Sequence, residues 1–109
     1  MYRPLLDYLT IQESNIEGLG LFTNKDIANG IELGITHVYR WKIYNNEDIH
    51  ELVRTPLGGF INHSETPNCR LIDCAELGQK QLETIRDIQS GEELTVKYKL
   101  YNVSSNIIS

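Results

Sequence analysis

The sequence predicts a mostly β protein built from short strands in small sheets, with little helix. Three observations carry that expectation. Apolar and polar residues alternate over short runs, the pattern of half-buried strands. Clusters of Gly, Asn, Asp, Ser and Pro punctuate those runs, and these residues favour turns over helix interiors. Finally, an eleven-residue phrase occurs twice. "TNKDIANGIEL" at 23–33 and "TIRDIQSGEEL" at 84–94 agree in register at Thr, Lys/Arg, Asp, Ile, Gly, Glu and Leu. Each copy reads as strand, Asp-Ile, Gly turn, strand. Two copies describe a pair of related β-turn-β units and fall short of a solenoid.

The elements follow in order. "LTIQES" is a first strand, and "NIEGLGLF" a glycine-bearing bend leading into an apolar run. Gly18 and Gly20 leave the backbone there free for a tight turn or for close approach to a ligand. "GIELGI" sets Ile31, Leu33 and Ile35 against Glu32 and Gly34, and Tyr39, Trp41 and Ile43 continue the alternation. "NNEDIHELV" is predicted as the one short helix, with Asn46 as N-cap and acidic residues in its first turn. "RLIDCA" and "QLETIR", separated by "ELGQK", predict a hairpin. "ELTVKYKLY" is the last strand, with Leu94, Val96 and Tyr98 on one face, and the tail at 102–109 is expected to fray.

The totals narrow the class of function. A chain of 109 residues predicts a single domain over 1–109, ordered from about 8 to 101. Its net charge of −5, without a Lys or Arg run, lacks the basic stripe of a nucleic-acid binder. No apolar run approaches the ~20 residues of a membrane span. The N-terminus has neither the basic start nor the apolar stretch of a signal peptide. Two cysteines, Cys69 and Cys74, do not make a disulfide framework. Together these predict a reducing, cytoplasmic setting, where the Asn-x-Ser matches at Asn62 and Asn102 have no use as glycosylation acceptors.

The densest run of reactive residue types is "GGFINHSETPNC" at 58–69. A single Cys-x4-Cys pair does not match the paired short spacings of structural zinc. Ser64 directly beside His63 points to the opposite face of an extended chain, which argues against a nucleophile with its base. "GLGLF" lacks the third glycine and following helix of a dinucleotide fingerprint. His37 and His50 are expected to be surface or packed residues. Spacing alone leaves the run as a folded loop, with or without a ligand.

The order of the pieces adds more. "GLGLF", "DIANGIELG", "FINHSETPNC" and "DIQSGEELTVKY", over residues 11 to 98, resemble the SET domain of protein lysine methyltransferases. The resemblance implies a β-clip of short sheets with a C-terminal pseudoknot, binding S-adenosylmethionine on one face and a lysine side chain from the other. It implies cofactor contacts from Gly18, Leu19, Gly20, Leu21, Asn62 and His63, with His63 acting mainly through its backbone, and Tyr98 as the catalytic tyrosine that also meets the cofactor. Pro67 and Asn68 would shape the turn feeding the knot. Thr36, Leu71 and Tyr101 fall where the lysine channel would be lined.

The product would be S-adenosylhomocysteine, the partner a lysine-containing protein, and neither nucleic acid nor membrane a direct partner. The compact size suits a viral, phage or bacterial member. Two departures stand out. Glu65 replaces the cysteine that helps bind zinc in many nuclear members, and the tail has no cysteine, so a zinc-free version is expected. The insert at about 44–56 is also short, leaving a homo-oligomer or the tail to wall the channel. The rival expectation is a non-catalytic module that keeps the fold and binds a partner.

Overall fold

The computed structural model describes residues 5–98, and within them not the side chains of 41–44, 48–50 and 75. Tyr101 and the tail expected to fray lie outside the described residues. The described residues form eight strands: β1 (Leu9–Glu13), β2 (Leu19–Thr23), β3 (Glu32–Tyr44), β4 (Glu47–Arg54), β5 (Asn62–His63), β6 (Cys69–Cys74), β7 (Gln79–Thr84) and β8 (Glu93–Val96). They form two four-stranded sheets, ordered β1-β2-β8-β5 and β4-β3-β7-β6. Among the described residues the only helical pieces are two 3-10 turns, Gly58–Phe60 and Ala75–Leu77.

The repeated phrase organises both sheets. One copy joins β2 to β3 and the other joins β7 to β8, yet β2 pairs with β8 and β3 with β7. Each unit therefore completes the other's sheet. The turns meet in reciprocal bonds: Ile27 N donates to Ile88 O at 2.8 Å and Ile88 N to Ile27 O at 2.7 Å. Gly30 N donates to Thr84 O at 3.0 Å, and Gly91 N to Thr23 O at 2.7 Å. The aspartates cross over as well, Asp87 Oδ1 accepting from Asn29 N at 2.9 Å and Asp26 Oδ1 from Ser90 N at 2.8 Å. Each carboxylate thus satisfies a turn amide that would otherwise have only water. Ile27, Leu33, Ile88 and Leu94 are buried and join Leu21, Leu82 and Val96 in the core.

The segment predicted to be a helix is a strand. Asn45 and Asn46 both have positive φ, 51° and 62°, and link β3 to β4 with Tyr44 paired to Glu47. Two central residues at positive φ make a type I′ hairpin turn, for which asparagine is well suited. Asn46 is therefore a turn residue and caps nothing. Eight consecutive pairs, from His37↔Arg54 to Tyr44↔Glu47, outweigh the weak helix-start signal of the acidic residues. The hairpin of β6 and β7 forms as expected, from Cys69↔Thr84 to Cys74↔Gln79.

The short β5 runs parallel to β8, with Asn62 opposite Thr95 and His63 opposite Val96. Asn68, buried in the loop beyond, fastens that loop to the same strand. Its Nδ2 donates to Glu93 O at 2.8 Å and its Oδ1 accepts from Thr95 N at 2.9 Å. One amide bonded both ways holds the run after Asn62 against β8 without a longer strand.

Candidate active site

Three short pieces converge at the C-terminal end of β8: the turn before β2, β5, and the residues following Val96. The turn is closed by Ser14 N donating to Gly18 O at 2.8 Å, with Gly18 at φ 49°, a conformation that glycine adopts without strain. Leu19 is exposed, Gly20 is buried, and Leu21 sits at the centre of its sheet between Ile11 and Leu94. A Cβ on Gly20 would lie 2.2 Å from Glu93 Oε2, so the second glycine is what admits that carboxylate.

Asn62 reaches from β5 into this turn. Its Nδ2 has four oxygen neighbours: Glu93 Oε2 at 2.8 Å, Ser14 Oγ at 3.0 Å, Glu17 O at 3.1 Å and Leu19 O at 3.2 Å. The Ser14 hydroxyl donates in turn to Glu93, 2.7 Å from Oε1. His63 faces the other way. Tyr98 N donates to its Nδ1 at 2.9 Å, which leaves that nitrogen unprotonated and puts the ring proton on Nε2, 3.2 Å from Glu65 Oε1. Glu65 also meets Lys97 Nζ at 3.1 Å. Lys97 first and His63 second hold the Glu65 carboxyl below its ordinary value.

Tyr98 stacks on the His63 ring, with centroids 6.1 Å apart. Its hydroxyl donates to Ile61 O at 2.9 Å, one residue before Asn62. Burial raises the phenol's pKa, with the Arg54 charge offsetting part of the rise, so Tyr98 is a neutral donor at ordinary pH. Asn62, His63 and Tyr98 are thus tied to one another through β5 and β8.

Thr36 and Leu71, also expected at the site, make contacts of their own. Thr36 is fully buried, with its hydroxyl donating to Lys80 O at 3.3 Å. Leu71 is half-buried against the core, paired with Leu82. Cys69 is a core residue whose thiol is pushed up to about 12 by burial, despite Arg86 nearby. Sequence reading missed Ser14, Glu93 and Ile61. The Glu93 signal was present, since it occupies the repeated Glu of the second unit and precedes Leu-Thr-x-x-Tyr, but nothing in its spacing shows that its carboxylate meets Asn62.

A family profile described as the SET domain matches residues 38–99. The chain belongs to the SET-domain family. It is 32% identical over 120 residues to the histone-lysine N-methyltransferase trithorax of Drosophila virilis, covering 85% of this chain and 3% of that one. It is 40% identical over 72 residues to an H3 lysine-36 specific histone-lysine N-methyltransferase of Aspergillus oryzae, covering 63% of this chain and 7% of the relative. The chain therefore spans a small part of the SET relatives it matches. The methyltransferase domain of human PR domain-containing protein 2 superposes with a TM-score of 0.67 at 18% identity, over 87% of this chain and 79% of that domain. The mostly β arrangement of small sheets is the SET-domain fold.

Proposed function

We propose that this chain transfers a methyl group from S-adenosylmethionine to the ε-amine of a lysine in a protein substrate. The observation that carries the proposal is the tie between the tyrosine and the Asn-His pair: Tyr98 donates its hydroxyl to Ile61 O and its backbone amide to His63. One residue thereby joins the end of β8 to both sides of Asn62.

The chain's groups fit that cofactor. The turn around Gly18 and Leu19 is open to solvent beside Asn62, and a Cβ at Gly18 would meet nothing within 4 Å. Asn62 Oδ1 meets no donor among the described residues, so it can accept from the ammonium of an amino-acid moiety. When bound, S-adenosylmethionine supplies a methyl group on a positively charged sulfur, and S-adenosylhomocysteine is the product. Gly18, Leu19, Asn62 and His63 would hold it, with Leu21 and Gly20 contributing backbone shape from β2.

A lysine amine free in water has a pKa of ~10.4 and must be neutral to attack. Desolvation beside Tyr98 favours that neutral form. The Tyr98 hydroxyl, itself held neutral with its proton directed at Ile61 O, orients the amine by accepting a hydrogen bond from it and does not take its proton away. The remaining task is alignment, which is a matter of proximity. Threading of the segment after Asn62 beneath the Tyr98 segment would make the pseudoknot. The net charge of −5 suits a basic protein target, in keeping with relatives named for histone lysines.

Incubation with methyl-labelled cofactor and a panel of basic proteins tests the proposal. Label on a lysine supports it, and calorimetry should show cofactor binding. Tyr98→Phe should bind S-adenosylhomocysteine as the unaltered chain does while turnover falls on the order of 10²-fold. Full turnover in that variant would remove Tyr98 from the mechanism. No label and no cofactor binding would leave a partner-binding module as the reading.

A further inference from the structure

We infer that Glu93, backed by Ser14, is a positioning residue that orients the Asn62 amide so that its carbonyl oxygen faces the ligand's amino-acid moiety. The inference rests on the cofactor reading above and adds residues to it.

An asparagine amide can be placed either way round, because its oxygen and nitrogen differ little in size. Here the choice is forced by what surrounds Nδ2. Glu17 O and Leu19 O are backbone carbonyls at 3.1 and 3.2 Å, and Glu93 Oε2 is a carboxylate oxygen at 2.8 Å. None of these can donate. The fourth neighbour, Ser14 Oγ, spends its proton on Glu93, 2.7 Å from Oε1 and 2.9 Å from Oε2, and so also presents a lone pair. A reversed amide would set Oδ1 against four acceptors, one of them charged. The nitrogen must face the turn, and Oδ1 must face outward.

The charged acceptor is the strongest of the four, since hydrogen bonds to ionised groups are shorter and stronger than neutral ones. In this placement it uses the space left by the missing side chain at position 20, where a Cβ would lie 2.2 Å from Glu93 Oε2 and make the carboxylate shift. The Gly-Leu-Gly turn therefore serves two purposes. Gly18 shapes the exposed turn, and Gly20 leaves room for the carboxylate that sets Asn62. Ser14 completes the arrangement from the start of the turn, where its Oγ also accepts from Ile16 N at 2.9 Å.

The test separates orientation from simple structural support. S-adenosylhomocysteine and 5′-methylthioadenosine, which lacks the amino-acid part, are titrated calorimetrically into the unaltered chain, Glu93→Gln and Ser14→Ala. Glu93→Gln should bind S-adenosylhomocysteine about tenfold more weakly, and Ser14→Ala about threefold, with affinity for 5′-methylthioadenosine unchanged. Without any ligand, the Asn62 side-chain NH2 resonances should move and exchange faster with water in Glu93→Gln. Equal weakening toward both ligands would overturn the inference and make Glu93 a structural tie. Unchanged affinity and unchanged Asn62 resonances would overturn it too, leaving the cofactor reading intact. If the unaltered chain binds no S-adenosylhomocysteine, the cofactor reading itself falls and the inference with it. Should Glu93→Gln not fold, Ser14→Ala carries the same comparison.

Discussion

The two eleven-residue units share a backbone but not a task. Both place a buried isoleucine, Ile27 or Ile88, at the contact between turns, and both end on a buried leucine, Leu33 or Leu94. Their aspartates bond across in the same way. The glutamates do not match. Glu32 is exposed at the start of a thirteen-residue strand, whereas Glu93 is drawn under Gly20 to hold Asn62. Even the threonines diverge. Thr23 bonds within its own turn, to Lys25 O and Lys25 N, while Thr84 Oγ1 crosses to Ala28 O and Ile31 N. Among the described residues a nearly symmetric scaffold thus bears the candidate site on one side, where β8 stops short and the chain turns to Tyr98.

The largest effect should come from breaking what the units share. Ile27→Ala and Ile88→Ala should each cost about 3 kcal/mol in denaturant unfolding, since each empties a fully packed contact. Costs that differ severalfold would show that one unit carries the fold and the other leans on it. Removing the crossing carboxylates comes next. Asp26→Ala and Asp87→Ala should each cost about 1 kcal/mol, because each leaves one turn amide to water at an exposed position. A loss confined to one aspartate would break the reciprocity.

A pH test sharpens the difference further along. Four residues beyond each leucine lie His37 and Tyr98, and burial keeps both neutral by opposite shifts. His37 is lowered by burial, then by Lys80 and Arg54, whereas Tyr98 is raised by burial. A histidine with a depressed folded-state pKa contributes stability above its unfolded value of ~6.5 and loses it as pH falls through the folded value. Melting temperature should therefore fall more steeply below about pH 6.5 in the unaltered chain than in His37→Gln. Parallel curves would remove His37 from the acid limb. The smallest effect belongs to Glu32. Glu32→Gln should change stability by less than about 0.5 kcal/mol and leave ligand binding alone. A Glu32 effect matching that of Glu93 would erase the asymmetry.

Much of the fold was legible locally. Period-two alternation and turn chemistry located the strands to within a few residues, and the repeated phrase marked the paired units. The last strand ends at Val96, short of the predicted 93–101, so Tyr98 lies beyond it. The segment 45–53 was misread because its acidic residues after an asparagine mimic a helix start. Asn45 and Asn46 carry the same turn signal as Asn-Gly, but β3 must already be known as a strand for that signal to prevail. The candidate site could be named in part from the sequence. The order of Gly-Leu-Gly, Asn-His-Ser and Glu-Leu-Thr-x-x-Tyr pointed to Gly18, Gly20, Asn62, His63 and Tyr98.

What the sequence by itself determined is the set of short strands, the turns between them and the family they belong to, because these rest on nearest neighbours and residue order. Only the tertiary structure decided that the repeated units exchange strands. It also decided that Ser14 and Glu93, 79 residues apart, meet at Asn62. That distance is the physical reason. A carboxylate placed by strand pairing leaves no periodic trace in the chain, and its twin at Glu32 carries the same letters with nothing to hold.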